Sequence, residues 1–97
     1  MLVIWQFDPQ HLQTLEAVVR LGSFAAAAGE IGYTQSAVSQ QLAELERRVG
    51  ARVVTRRPVR ATEAGEVLLA AASAIGSSMT RARTELAALA EGSIGQV

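Results

Sequence analysis

Apolar residues recur at helical spacing along the first third of the chain, between residues that start and stop helices. Asp8 and Pro9 suit the N-cap and the first position of a helix, and Gly22 is placed to end it. Ser23 can then cap a second, alanine-rich helix over residues 24–31. The pattern therefore predicts two consecutive helices joined by a very short turn.

A third helix is predicted after a turn of about three residues that contains Gly32. Thr34 is its expected N-cap and Gly50 its end, so the helix covers residues 35–49. Its apolar residues form a single stripe at helical spacing: Val38, Leu42, Leu45 and Val49. Two helices joined by such a turn are typical of a helix-turn-helix.

Residues 52–61 are rich in β-branched residues and arginine, and they favour strand over helix. Pro58 is expected in or near a turn, so this stretch predicts a two-stranded hairpin, or wing, directly after the third helix. The predicted fold class is therefore mostly α. It is a winged helix-turn-helix of three helices plus a two-stranded wing, followed by a long dimerisation helix.

The long helix is predicted to run from a Thr62 N-cap to about Glu91. Its apolar residues keep an unbroken heptad spacing, here called the seam: Leu68, Ala72, Ile75, Met79, Ala82, Leu86 and Leu89. A lone helix of this length cannot bury the seam, so we expect it to pair with a second copy of the chain. Contact within one chain is the alternative explanation.

A second stripe on the long helix, Ala64, Val67 and Ala71, is expected to pack on the winged body. Gly65 and Gly76 are each expected to weaken the helix by about 1 kcal/mol. The chain thus divides into a winged helix-turn-helix at residues 1–61, a linker and dimerisation helix at 62–91, and a tail at 92–97, either the start of a linker or a frayed end.

The formal net charge is zero, but the charge is unevenly distributed. All nine basic residues are arginine, and residues 34–60 carry a net charge of +4 between flanks of −2 each. A basic middle of this kind indicates an anion-binding face, although a solvated surface explains the charge alone equally well. The third helix also begins with uncharged hydrogen-bonding side chains, whereas exposed helices usually prefer Glu and Lys there.

The sequence gives no support for catalysis, a metal site or a cofactor on this chain. It has no cysteine, and its single histidine, His11, is expected at the surface. No glycine-rich phosphate loop, metal-ligand spacing or nucleophile elbow occurs. No apolar run approaches the roughly 20 residues of a membrane span, and the start does not resemble a secretion signal, so we expect a cytoplasmic location.

Residues 22–57 and 62–65 resemble the N-terminal domain of LysR-type transcriptional regulators. They read GSFAAAAGEIGYTQSAVSQQLAELERRVGARVVTRR and TEAG, and the run TQSAVSQQLAELE is highly specific. The resemblance covers roughly residues 7–91. It implies a bacterial regulator that binds pseudo-palindromic promoter DNA as a dimer or tetramer, with its linker helices paired antiparallel. It also implies an inducer that would bind a separate C-terminal domain, absent from this chain.

A few positions depart from the family pattern. Gly29 stands where a long polar residue is usual, Val53 and Val54 replace a leucine–phenylalanine pair, and Ala61 replaces a leucine. These changes are expected to soften the second helix and to thin the packing between wing and body. The wing also looks shorter than is usual in the family.

A helix-turn-helix presents the N-terminal end of its second helix to base edges in the major groove. The side chains expected there are Thr34, Gln35, Ser36, Ser39 and Gln40. Gln35 can offer a bidentate amide to adenine, and the others can meet bases or phosphates. A solvent-exposed side chain without a DNA contact is the alternative for these positions.

Arginines of the wing complete the expected interface. One of Arg56, Arg57 and Arg60 is expected in the adjacent minor groove, and the others on phosphates. Arg52 and Ser23 are further candidate phosphate contacts, with helix capping alone as the alternative for Ser23. The alternative function for the whole chain is a protein–protein interaction module that has lost DNA binding.

Overall fold

The computed structural model describes residues 7–95 of the 97-residue chain. The elements in this range are α1 (Pro9–Leu21), α2 (Phe24–Ile31), α3 (Gln35–Val49), β1 (Val54–Arg56), β2 (Val59–Ala61) and α4 (Glu63–Gly95). The predicted fold class, a mostly helical winged helix-turn-helix with a long final helix, is confirmed. The outer ends of the predicted domains, at residues 1–6 and 96–97, lie outside the described residues.

Side-chain caps begin the first three helices, as the sequence predicts. Asp8 accepts a hydrogen bond from the Gln10 N–H at 2.9 Å, and Ser23 and Thr34 each accept one from the backbone three residues on at 3.0 Å. Each of the three helices ends at a glycine with positive φ: Gly22, Gly32 and Gly50. The predicted helix bounds are confirmed because local interactions set both ends.

The core lies where α1, α2, α3, the wing and the start of α4 meet. Its largest fully buried apolar side chains are Leu15, Val18, Val38, Leu42, Leu45, Val53 and Val54. The predicted stripe of α3 therefore faces inward, although its last member, Val49, is only partly buried. Val53 and Val54 join the base of the wing to this core despite their small size.

An ion-pair cluster links α1 with α2 on the surface. The Arg20 guanidinium binds Glu30 of α2 and, at 2.8 Å, Glu16 of α1. Hydrogen bonds from Arg20 lower the pKa of Glu30, and those to Glu30 and Glu16 raise the pKa of Arg20. Since all three side chains are solvent-accessible, the cluster contributes little to the free energy of unfolding.

The wing is an antiparallel hairpin in which Val54 pairs with Ala61 and Arg56 with Val59. Pro58 lies in the turn, as predicted, and its peptide bond to Arg57 is cis. The short hairpin leaves β1 anchored through Val54, which is buried, while Arg56 and the turn are exposed. The core thus holds the base of the wing and leaves its tip in solvent.

The face of α4 that packs on the body differs from the predicted one. It consists of Ala64, Leu68, Leu69, Ala72 and Ile75. Of the predicted stripe only Ala64 packs there, because Val67 is 70% exposed and Ala71 is exposed as well. Ala64, Leu68, Ala72 and Ile75 follow one another at steps of four and three residues, and Leu69 extends this face on one side. Val67 lies about 100° from Leu68 on the other side.

The seam is therefore divided between two environments. Leu68 was expected at a subunit interface but is only 7% exposed, because it packs in the core of its own chain. Ala72 and Ile75 are half-buried against the same core. The remaining members are exposed: Met79, Ala82, Leu86 and Leu89. Contact within the chain thus accounts for the first part of the seam and leaves the second part uncovered.

The helix α4 continues to Gly95, beyond the end predicted near Glu91. Gly92 lies inside it, since glycine weakens a helix but keeps the N–H that the hydrogen-bond ladder requires. Within residues 7–95, no helix has both the length and the apolar character needed to cross a membrane.

Candidate nucleic-acid interface

The start of α3 presents a compact polar surface. Thr34, Gln35, Ser36 and Gln40 are exposed, and Ser39 is half-buried beside them. Ser36 and Gln40 project from the side of α3 opposite the buried Val38 and Leu42. Thr34 and Gln35 are exposed because they stand at the N-terminal end of the helix. The structure therefore brings together the five α3 side chains that the sequence predicts for base and phosphate contacts.

Ser23 and Thr34 cap helices and can still donate a hydrogen bond to DNA. The hydroxyl oxygens of Ser23 and Thr34 accept hydrogen bonds from Ala26 N–H and Ala37 N–H. A hydroxyl that accepts such a bond still carries a proton, which it can donate to a phosphate oxygen. Helix capping and phosphate contact are thus compatible at both positions.

A partly buried hydrogen bond ties α3 to α1 close to this surface, and sequence analysis missed it. Thr14 is fully buried, and its hydroxyl donates to the Gln41 side-chain oxygen. The Gln10 amide approaches the same hydroxyl at 3.5 Å. Among the described residues, no buried side-chain nitrogen or oxygen lacks a hydrogen-bond partner. Gln41 directly follows Gln40 on α3, so this contact holds the start of α3 against α1.

The wing supplies positive charge that the protein does not neutralise. Arg56, Arg57 and Arg60 are exposed, and within residues 7–95 none of them forms an ion pair. The guanidinium of Arg56 lies over the Phe24 ring, 4.3 Å from the ring centroid. This contact joins the wing to α2, and it could not be expected from the sequence because the partners are 32 positions apart.

The other arginines of the basic middle have acidic partners. Arg52, a predicted phosphate contact, lies 3.4 Å from the Glu46 carboxylate, which also accepts the Val53 N–H at 2.9 Å. Arg47 and Arg48 both bind Glu44 on α3. The unneutralised positive charge of residues 34–60 is therefore concentrated on the wing.

His11 is half-buried, not at the surface as expected, and its Nε2 lies 3.7 Å from a carboxylate oxygen of Asp8. The contact follows from the spacing of three residues, which brings His11 over the residue that caps α1. In the part of the chain that the structure describes, no three His, Cys, Asp or Glu side chains are grouped closely enough to hold a metal ion.

Comparison with known proteins identifies relatives of the whole winged region. The family model described as "Bacterial regulatory helix-turn-helix protein, lysR family" matches residues 9–66. The transcriptional regulator MetR of Salmonella typhimurium is 45% identical over 75 residues, 75% of this chain and 24% of MetR. LysG of Mycobacterium tuberculosis is 52% identical over 65 residues, 66% of this chain and 22% of LysG. The chain thus spans about a quarter of the length of the curated relatives it matches.

Solved structures give the same result for the fold. Full-length LysG from Corynebacterium glutamicum matches with a TM-score of 0.81 and 37% identity, over 84% of this chain and 29% of that one. A complex of the BenM DNA-binding domain with catB site 1 DNA matches with a TM-score of 0.78 and 28% identity, over 87% of this chain and 96% of that one. One similar structure thus holds DNA, and another is a regulator of which this chain resembles one part.

Proposed function

This chain belongs to the LysR family of bacterial regulatory helix-turn-helix proteins, and from that premise we propose that it binds promoter DNA sequence-specifically as part of a transcriptional regulator. The observation that carries the proposal is the exposed polar start of α3, held in place by the core and accompanied by unpaired wing arginines. Family membership makes an enzymatic function a poor explanation of the same surface. The complex of BenM with DNA supports a nucleic-acid partner for a protein of this fold.

In this proposal the start of α3 enters the major groove. Gln35 reads adenine through its amide, whose N–H donates to N7 and whose oxygen accepts from the N6 amino group in a bidentate pair. Ser36, Ser39 and Gln40 contact neighbouring bases or phosphates. The Thr34 hydroxyl and the free N–H groups at the N-terminus of α3 bind a phosphate. The exposure of the other four side chains, with Ser39 half-buried beside them, supports these roles.

The wing follows the DNA backbone on one side of α3. One of Arg56, Arg57 and Arg60 enters the minor groove, where a narrow A·T-rich segment attracts arginine, and the others neutralise phosphates. Arg52 contributes less than these three, because Glu46 already offsets its charge. Ser23 donates to a phosphate near the start of α2.

We further propose that the exposed part of the seam pairs antiparallel with the same helix of a second chain. A twofold axis between residues 80 and 81 places Leu89 opposite Ala72 of the partner subunit, Leu86 opposite the partner's Ile75, and Met79 opposite the partner's Ala82. Every exposed seam residue then meets a seam residue of the other chain. Ala72 and Ile75 are half-buried, and contact with a partner helix in this register would complete their burial.

The surface beside α4 also suits such a partner. A groove between α1 and α4 is lined in part by apolar residues, including Val19, Leu69, Ile75 and Met79, beside charged ones such as Arg20 and Arg83. A dimer places two α3 helices a fixed distance apart, which accounts for recognition of a pseudo-palindrome. Assembly to a tetramer and the response to an inducer depend, in this proposal, on a C-terminal domain that these residues do not include.

Selection of bound sequences from a random DNA pool tests the proposed function. We expect an enriched site with two related half-sites, and a gel shift on that site that weakens steeply as salt increases. The alternative function, a protein–protein interaction module, predicts dimerisation without enrichment of any sequence. A selection that recovers only random sequence would therefore favour the alternative.

A further inference from the structure

The guanidinium of Arg56 rests on the ring of Phe24, and we propose that Phe24 is a positioning residue that holds Arg56 ready for a DNA phosphate. The guanidinium carbon is 4.3 Å from the ring centroid. This inference rests on the proposed DNA binding and adds a residue to it. No contact of Phe24 itself with DNA is involved.

Phe24 is suited to this role because it is anchored in the core. It is 8% exposed and belongs to the core cluster that joins α1, α2 and α3. Arg56, in contrast, is the exposed last residue of β1. A ring fixed in the core and turned toward the wing therefore gives a flexible side chain a defined resting place.

Contact with a ring leaves the arginine able to bind an anion. An arginine that stacks on an aromatic ring uses the face of its planar guanidinium, whereas its five N–H donors lie in the plane and point outward. Within residues 7–95, no carboxylate pairs with Arg56. Its charge and its donors are thus available to a phosphate while the ring limits its movement.

The position of the ring also determines where that charge lies. Phe24 is the first residue of α2 and directly follows Ser23, the N-cap and a proposed phosphate contact. The ring contact therefore draws the charge of a wing residue toward the start of α2. Arg57 and Arg60 lack an aromatic partner among the described residues. Arg56 is thus the wing arginine whose position on the DNA backbone is set before binding.

A double-mutant cycle on the 97-residue chain and its selected DNA site tests the inference. We expect Phe24→Leu to weaken binding by about twofold to fivefold, the range for an exposed cation–π contact. In an Arg56→Gln background the same substitution should have no further effect, because the side chain to be positioned is gone. In an Arg57→Gln background it should again weaken binding by about twofold to fivefold.

Thermal unfolding of each variant, with binding measured well below every midpoint, separates positioning from loss of fold. If Phe24→Leu unfolds near the assay temperature, Phe24→Met repeats the cycle. Equal losses in the wild-type and Arg56→Gln backgrounds would overturn the inference, and so would no loss in either. Failure of the wild-type chain to bind any DNA would overturn the proposed function as well, whereas binding without coupling would overturn this inference alone.

Discussion

Gly65 lies against the backbone carbonyl of Val53, with no room for a side chain between them. A Cβ at Gly65 would overlap the Val53 oxygen and would also meet the Ala61 methyl. The same Val53 oxygen accepts the Thr62 N–H at 3.1 Å, and the Thr62 hydroxyl accepts the Gly65 N–H at 3.1 Å. The joint between the wing and α4 is therefore a close backbone contact that only glycine permits.

We expect Gly65→Ala to lower the free energy of unfolding by about 1–3 kcal/mol or more, because the wing or α4 must move to admit a methyl group. The matched control is Gly76→Ala in the same helix, where a Cβ meets nothing within 4 Å. That variant should be stabilised by up to about 1 kcal/mol through helix propensity. Denaturant unfolding of both measures the difference, and equal effects would show that the joint is not tightly packed.

Thr14→Val should destabilise the protein by about 0.5–1.5 kcal/mol, because it keeps the side-chain shape but removes the hydrogen bond to the half-buried Gln41 side chain. Thr84→Val on the exposed part of α4 is the control and should change stability by less than about 0.5 kcal/mol. Chemical denaturation measures both. A Thr14→Val variant as stable as the control would mean that the contact does not restrain α3.

Charge on the exposed seam should abolish dimerisation. Met79→Lys with Leu86→Lys places four like charges in the proposed dimer interface, so sedimentation should show monomers where the wild-type chain is dimeric. Ser77→Lys, on the side of α4 away from the seam, adds charge without entering the interface and should leave the dimer intact. A wild-type chain that is monomeric at high concentration, or a charged seam that still pairs, would contradict the proposed dimer.

Removing a wing arginine should reduce the salt dependence of DNA binding. For Arg57→Gln or Arg60→Gln we expect the slope of log affinity against log salt to fall by about 0.9 if the side chain contacts one phosphate. Arg81→Gln, on α4 and away from the seam, removes the same charge and should leave the slope unchanged. Slopes equal to that of the wild-type chain for all variants would show that the wing does not contact the DNA backbone.

Helix bounds could be predicted from the sequence because caps and terminal glycines act over only a few residues. Asp8, Ser23 and Thr34 cap their own helices, and each needs no knowledge of the rest of the fold. The polar start of α3 could be predicted for a related reason. Spacing places Ser36 and Gln40 opposite the buried stripe, and the predicted cap at Thr34 places Gln35 at the end of the helix.

Contacts between distant residues could not be predicted in the same way. The heptad pattern of α4 does not distinguish burial on its own chain from burial on a partner, so Leu68 was assigned to the wrong surface and Val67 to the wrong face. Gly65 was expected only to weaken its helix, since nothing in the sequence places Val53 beside it. Likewise, the Phe24 contact with Arg56 depends on how the wing folds over α2.

The claim that the start of α3 reads base edges is tested most directly with a Gln35→Ala variant. Its affinity is measured for the selected site and for a scrambled duplex. The account predicts a loss of about 1–3 kcal/mol on the selected site, with relaxed preference at one base pair of each half-site. Binding to the scrambled duplex should not change, because phosphate contacts supply it. An equal loss on both duplexes, or no loss on either, would contradict the account.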